Sequence, residues 1–306
     1  MIELTDTTSS GIAAEFLRAR RKAGSPAMGM VMTLVFVVHE ADAEHALATA
    51  RSASREHPAR VLGVVLGDGR GAARVDARVG TGSGWTGETA LITLSGAVVK
   101  HPESVVLPLL LPDSPVVVWW PGKAPHDPAA DPLGQLARRR ITDAAAVPTG
   151  KSRAMLTQCH SYSPGNTDLA WTRITNWRAL LAAALDQTRA KVTAASVSAE
   201  RISPSADLLS AWLTDRLKVP VARHSSDGPG ITRVVLSTRQ GDITIVRTDG
   251  KLATLSSPGE PNRPVALKRR DLDELLSEEL RRLDPDDVYA RTVKRMATAD
   301  AADAKA

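Results

Sequence analysis

The chain has 306 residues, of which 43% are hydrophobic and 24% charged, so its composition indicates a folded protein with two domains and excludes a disordered chain. The single cysteine excludes an internal disulfide and a cysteine-based zinc site, and it favours a reducing, cytoplasmic compartment. The net charge of +5 does not require a nucleic acid as a partner. The apolar span Val105–Trp120 is interrupted by prolines and therefore does not predict a membrane helix.

The first part of the chain predicts an α/β domain built on buried strands. The apolar runs Met30–Val38 and Arg60–Leu66 flank an alanine-rich helix at Asp42–Arg55, which is the pattern of a parallel βαβ unit. Ser114–Trp120 is a further buried strand that ends in Trp119 and Trp120. If this strand is half exposed, the alternation of its side chains points one of these two tryptophans away from the core, towards a partner; the other interpretation is that both tryptophans fill the core beneath the loop that follows.

A proline-rich loop and a basic run follow this strand. The loop Pro121–Asp131 leads into a predicted helix at Pro132–Arg140, with Asp131 as its N-cap. We expect the arginines at 138–140 to lie exposed at the far end of that helix, either as a solvated helix terminus or as a surface for an acidic partner or a phosphate.

A second domain is predicted after a polar stretch at Gln187–Lys191. The preceding helix, Trp171–Leu185, carries Trp171 and Trp177, which serve either the core or a partner surface. We predict an N-terminal domain at 1–188 and a smaller C-terminal domain at 189–306. Each is expected to be an α/β domain with a mixed β-sheet flanked by helices, the second from strands and helices at 192–197, 205–217, 231–236, 243–247, 271–282 and 286–296.

Two glycine-containing motifs suggest a nucleotide or phosphate site. Gly82–Gly87 fits the GxGxxG pattern, but Glu88–Ser95 after it predicts a strand where a dinucleotide fold requires a helix, so a hairpin loop is favoured. Gly150-Lys151-Ser152 resembles the end of a Walker A motif, but the preceding residues are poor in glycine, so a solvated loop is favoured. The alternative, a phosphate-binding α/β protein or enzyme that uses one of these loops, stays open.

The remaining chemistry-bearing residues do not form a catalytic pattern. The seven histidines lack the spacing of a metal site, and Cys159 and His160 are adjacent, so their side chains are expected to point apart. We therefore predict no catalytic residue, no metal and no cofactor, with Cys159 as a bystander thiol.

Two long segments of the sequence are distinctive: WWPGKAPHDPAADPLGQLARRRITD at Trp119–Asp143 and SPGNTDLAWTRITNWRALL at Ser163–Leu181. Both resemble the OpcA family of glucose-6-phosphate dehydrogenase assembly proteins. Shorter matches are DTT at Asp6–Thr8, SREHPARV at Ser54–Val61 and RRLDPDDVY at Arg281–Tyr289. The similarity covers nearly the whole chain and is looser after residue 185.

The resemblance implies a non-catalytic partner that binds glucose-6-phosphate dehydrogenase and promotes its active oligomer in the oxidative pentose phosphate pathway. It leaves room for a phosphorylated small-molecule effector at the interface, and it implies neither a nucleic acid nor a membrane as partner. We expect the main docking surface at Trp119–Asp143. The residues predicted to bind the partner are Trp119, Trp120, Pro121, Asp131, Pro132, Leu133, Arg138, Arg139, Arg140, Asp143, Trp171, Arg173 and Trp177.

Overall fold

The computed structural model describes residues 1–23, 29–81, 87–187 and 190–303, which fall into two compact units. The first unit consists of Met1–Asp143, Gly165–Thr167 and Leu272–Pro285, and the second of Ala144–Pro164, Asp168–Asp271 and the chain from Asp286 on. The domain boundary predicted at residue 188 stays a prediction.

Strands and helices alternate over much of the chain. The strands are β1 (Ile2–Leu4), β2 (Met32–Val38), β3 (Ala59–Leu66), β4 (Arg74–Thr81), β5 (Glu88–Ser95), β6 (Val116–Trp119), β7 (Arg139–Thr142), β8 (Asn166–Asp168), β9 (Val192–Ala199), β10 (Val221–Ser225), β11 (Ile231–Thr238), β12 (Gly241–Val246), β13 (Leu252–Ser256) and β14 (Arg263–Ala266). The helices are α1 (Ser9–Ala23), α2 (Ala43–Ala53), α3 (Pro102–Val106), α4 (Pro132–Gln135), α5 (Lys151–His160), α6 (Leu169–Thr172), α7 (Thr175–Asp186), α8 (Pro204–Leu217), α9 (Leu272–Arg281) and α10 (Asp287–Asp303). None of these helices is long and apolar enough to cross a membrane.

An eight-stranded mixed sheet forms the centre of the first unit, in the order β1-β4-β5-β3-β2-β6-β7-β8. The predicted βαβ unit is confirmed: β2 and β3 are parallel, and α2 between them packs against both. All seven residues of β2 are buried, as expected for a strand covered on both faces. On one of these faces Val35 and Val37 share a core cluster with Ile12 and Phe16 of α1.

A six-stranded mixed sheet forms the centre of the second unit, in the order β10-β9-β11-β12-β13-β14. β9 and β10 are parallel, whereas the other neighbours are antiparallel. The helix α8 packs against β9 and β10, and α10 packs against α8 and α5. The predicted fold class, α/β with mixed sheets flanked by helices, is confirmed.

Three predicted elements differ from the structure. The helix predicted at Pro132–Arg140 ends at Gln135, and the chain continues into the strand β7. The single helix predicted at Trp171–Leu185 is divided into α6 and α7 by a break at Arg173–Ile174. Lys151 and Ser152, predicted to lie in a solvated loop, begin α5, which follows Gly150 at φ +70°.

Candidate functional site

Both tryptophans at the end of β6 are buried. Trp119 is 0% exposed and Trp120 is 3% exposed. Trp119 packs edge-on against Phe36, with 6.4 Å between the ring centroids, whereas Trp120 shares a core cluster with Val118 and Leu133. Of the two interpretations, filling of the core is the one the structure bears out: both faces of this sheet are covered, so alternation moves the two rings into two buried layers.

The loop after β6 is held by hydrogen bonds from backbone N–H groups to its own aspartates. Asp127 Oδ1 accepts from the N–H groups two and three residues further on, at 2.9 and 3.2 Å. Asp131 Oδ1 does the same at 3.0 and 3.2 Å, so Asp131 caps α4 as predicted. Burial raises the pKa of Asp131, although the two N–H groups act in the opposite direction. Pro121 is half-buried and Pro132 exposed, so part of the loop surface is accessible.

Gly134 allows the loop to pass close to α4. A Cβ atom at this position would lie 1.8 Å from the carbonyl oxygen of Pro128, a distance that no side chain tolerates. Leu133 beside it is buried in the core of the first unit. The DPLG segment therefore combines a cap, a core anchor and a close backbone approach.

The arginines of the basic run belong to β7 and its approach, and two of them are buried. Arg139 is 3% exposed; it donates to Glu279 Oε2 at 2.5 Å and to the carbonyl oxygen of Asp284 at 2.8 Å. Arg138 is exposed and pairs with the Asp284 carboxylate at 2.6 Å. The expectation of three exposed arginines is wrong because residues of α9 and its C-terminal connection supply the buried partner.

Arg140 is also fixed within the first unit. Its Nε donates to Asn166 Oδ1 at 2.6 Å, and its Nη1 donates to the carbonyl oxygen of Ala137 at 2.9 Å. Asp143, directly after β7, is fully buried. These side chains hold β7 in place and do not offer a charged surface.

A crevice of about 370 Å³ lies at the carboxyl ends of β2, β3 and β6. The order of strands along the chain reverses between β2 and β6, and α/β sheets usually bind their ligands at such a reversal. The predicted partner residues that line the crevice are Trp120, Asp131, Pro132 and Leu133. Lys123 of the loop and His39 after β2 complete part of its wall.

Acidic residues occupy the start of α2, the helix that follows β2. Glu40, Asp42 and Glu44 lie within five positions of one another, and Asp42 lines the crevice. A nucleotide-binding fold places a glycine-rich turn and the positive end of a helix here, facing a phosphate. In the wall itself Asp42 and Asp131 repel a phosphate, whereas Lys100 and Lys123 attract it, so the acidic residues weaken the helix start as a phosphate site without making the whole crevice negative. Sequence reasoning identified Asp42 only as the start of this helix and missed the acidic cluster, although EADAE directly after a buried strand was the available signal.

The remaining predicted tryptophans belong to the core of the second unit. The Trp171 indole donates to Asp286 Oδ2 at 2.9 Å, and the Arg178 guanidinium lies 3.6 Å from its ring centroid. Trp177 is 2% exposed, and the Arg247 guanidinium lies 5.0 Å from its ring. Arg173, at the break between α6 and α7, is half-buried.

The other motifs singled out in the sequence have mixed outcomes. Residues 82–86 of the GxGxxG motif lie outside the described residues, whereas β5 begins directly after Gly87 as predicted. Cys159 is buried, and burial together with the charge of Asp168 raises the pKa of its thiol. The His160 imidazole contacts Asp300 at 2.9 Å. In the described parts of the chain, no cluster of three or more His, Cys, Asp or Glu side chains could hold a metal ion.

Comparison with solved structures finds enzymes of low similarity. KijD10, a 3-ketoreductase from Actinomadura kijaniata, is 9% identical with a TM-score of 0.48, over 88% of this chain and 96% of that one. An oxidoreductase from Sinorhizobium meliloti is 11% identical with a TM-score of 0.46 over the same shares. At these values the likeness carries no argument about fold or activity. Among curated proteins, none matches this sequence.

Comparison with family models gives two matches that span most of the chain. Residues 50–161 match the glucose-6-phosphate dehydrogenase subunit N-terminal domain, and residues 164–293 match the corresponding C-terminal domain. The two models are the assembly domain and the C-terminal domain of one family, and they follow each other along the chain in that order. The chain therefore belongs to the OpcA family of glucose-6-phosphate dehydrogenase assembly proteins.

Proposed function

We propose that this chain binds glucose-6-phosphate dehydrogenase in the cytoplasm and promotes its active oligomer, as a non-catalytic activator at the entry of the oxidative pentose phosphate pathway. The match of both halves of the chain to the two domains of a glucose-6-phosphate dehydrogenase subunit carries the proposal. In this role the chain changes the assembly of the enzyme and turns over no substrate itself.

The acidic helix start at the crevice of the first unit supports a role without catalysis. Asp42 lines the place where a nucleotide-binding α/β fold holds a phosphate, with Glu40 and Glu44 beside it in the sequence. A carboxylate at this position raises the free energy of a bound phosphate.

We place the docking surface on the accessible part of the loop between β6 and α4. Lys123 and Pro132 are exposed there, and Arg138 is exposed at the start of β7. The loop is already ordered by its prolines and by Asp127 and Asp131, which accept backbone N–H groups. Little conformational entropy is therefore lost when a partner covers it. The buried tryptophans beneath it act as supports.

The first test is an assembly experiment with purified glucose-6-phosphate dehydrogenase. Size-exclusion chromatography with light scattering should show a stoichiometric complex, and the chain should raise the dehydrogenase activity of the enzyme. The chain alone should oxidise no glucose 6-phosphate with NAD or NADP and should hydrolyse no nucleotide. Absence of a complex, or turnover by the chain alone, would contradict the proposal.

Charge reversal tests the docking surface separately. Lys123→Glu with Arg138→Glu should weaken binding of the enzyme by about 1–3 kcal/mol, because both cations rim the proposed contact. The matched control is Lys191→Glu with Arg239→Glu, two exposed residues of the second unit with the same change of charge. Calorimetric titration measures both variants, and thermal melts check their folding. Equal affinities of the charge-reversal variant and its control would show that the docking surface lies elsewhere.

A further inference from the structure

A cavity of about 190 Å³ in the second unit has far more cationic than acidic residues in its wall. Among the described residues Glu200 is the single carboxylate in its wall, and Glu200 Oε1 already accepts a hydrogen bond from the Gly230 N–H at 2.7 Å. The cationic residues of the wall are Lys151, Arg173, Arg247, Lys268, Arg269 and Arg270. Such an excess of positive charge around a small volume favours an anion inside it.

Arg247 is the most informative of these residues because it is buried and, among the described residues, no carboxylate accepts a hydrogen bond from it; Asp249 acts on it through charge alone. It is 5% exposed, and its Nη atoms donate to the carbonyl oxygens of Leu267 and Ile231 at 2.8 and 2.9 Å. Its Nε is buried and has no hydrogen-bond partner. Burial, followed by the charge of Arg269, lowers the pKa of Arg247 to about 10. An anion that approaches such a buried cation stabilises it, because the anion compensates part of the cost of removing the charge from water.

The backbone around the cavity also contributes partial positive charge, from the N-termini of helices. α5 begins at Lys151, which lines the wall. α7 and α8 also begin there, with Asn176 in the first turn of α7 and Ser203 as the N-cap of α8. The positive ends of three helices, each ten residues or longer, thus add to the charge of the side chains.

We propose that this cavity is a binding site for a small phosphate ester. Arginine side chains bind phosphate oxygens in a forked geometry, and the helix N-termini supply further N–H donors. The volume is below the range of about 300–1,000 Å³ typical of drug-sized ligands, which suits a phosphorylated sugar of a few carbons better than a dinucleotide. The site does not depend on the proposed function, since it is argued from the second unit alone.

Calorimetric titration of the full chain tests the ligand class. The probes are ribose 5-phosphate, free ribose, inorganic phosphate and a short single-stranded oligonucleotide, all at low salt. Ribose 5-phosphate should bind, free ribose should not, and added potassium chloride should weaken the binding. Binding of inorganic phosphate alone at tens of millimolar would mean an adventitious ion only. That result, no binding at all, or tighter binding of the oligonucleotide would overturn the proposal.

A charge-neutralising variant tests the location. Lys151→Gln with Arg269→Gln should weaken ribose 5-phosphate binding at least about tenfold, because charge-assisted hydrogen bonds are lost. Both side chains are at least partly accessible, so the variant avoids the folding problem expected for substitution of the buried Arg247. The matched control, Lys191→Gln with Arg239→Gln, should change binding less than about twofold. Equal losses in the two variants would show unspecific attraction and overturn the site.

Discussion

Buried arginines have different partners in the two units. In the first unit Arg139 meets Glu279, and Arg60 meets Glu88, each at 2.5 Å. In the second unit Arg247 is buried to a similar degree, but its donors reach only backbone carbonyl oxygens. Facing carboxylates close Arg139 and Arg60 into structural pairs, whereas no carboxylate accepts a hydrogen bond from Arg247 among the described residues, so Arg247 retains charge for a ligand. Burial of an arginine therefore does not by itself indicate its role.

The largest expected effect concerns the closed pair of the first unit. Arg139→Met should lower the free energy of unfolding by about 3–5 kcal/mol, because it leaves the Glu279 carboxylate buried without its cation. Urea denaturation measures the change. The matched control is Arg138→Met one position earlier, whose exposed pair with Asp284 should be worth less than about 1 kcal/mol. Similar losses in both variants would mean that Arg139 acts through packing alone.

A smaller effect is expected at Gly134 of α4, where the loop after β6 passes close to the helix. Gly134→Ala should lower the free energy of unfolding by about 1–3 kcal/mol, because its Cβ would clash with the backbone of Pro128. Gly122→Ala in the same loop is the control, since a Cβ there meets nothing within 4 Å. Urea denaturation compares the two. If Gly134→Ala is as stable as the control, the loop can move away from the added methyl group, and the close approach does not require glycine.

The smallest effect is expected at Asp286, a carboxylate of the second unit that does not line the cationic cavity. Asp286 caps α10 and accepts the Trp171 indole N–H. Burial would raise the pKa of Asp286, but hydrogen bonds from the Tyr289 N–H and the Trp171 indole, with the charge of Arg178, lower it. Its contribution to stability is therefore present above the unfolded pKa of about 3.9 and is lost as the pH falls through the lower folded value.

Asp286→Asn should accordingly lower the free energy of unfolding by about 1–2 kcal/mol at neutral pH. The difference from the wild type should shrink as the pH is lowered below about 4. Asp287→Asn, at the exposed neighbour, should cost only a few tenths of a kcal/mol, about the worth of one charge at a helix terminus. Urea denaturation across pH measures both, and a pH-independent loss at Asp286 would point to its size instead of its charge.

The parts of the fold that sequence reasoning predicted are those that local patterns determine. The apolar runs of β2 and β3 identify strands covered on both faces, and the helix between them fixes the parallel pairing. Asp131 before Pro132 identifies the start of α4. In each case the physical signal lies within a few residues of the element.

The rest depended on partners that are distant in the sequence. Arg139 and Glu279 are separated by 140 positions, so no local pattern could show that the basic run is buried. The cationic cavity likewise combines Lys151, Arg247 and the run at 268–270 from separate segments. A run of arginines in the sequence therefore does not show whether its side chains are buried, because their burial depends on the residues that the fold brings next to them.

The route of the chain through its two units has a consequence for synthesis on the ribosome. α9, which carries Glu279, belongs to the first unit but is translated after nearly all of the second. Until that helix leaves the exit tunnel, β7 can form only with the Arg139 charge unneutralised, a state that the cost of burying a lone cation disfavours. The nascent first unit therefore acquires its Arg139–Glu279 pair only after most of the second unit has been synthesised, and a ribosome stalled before residue 279 would hold the first unit without that pair.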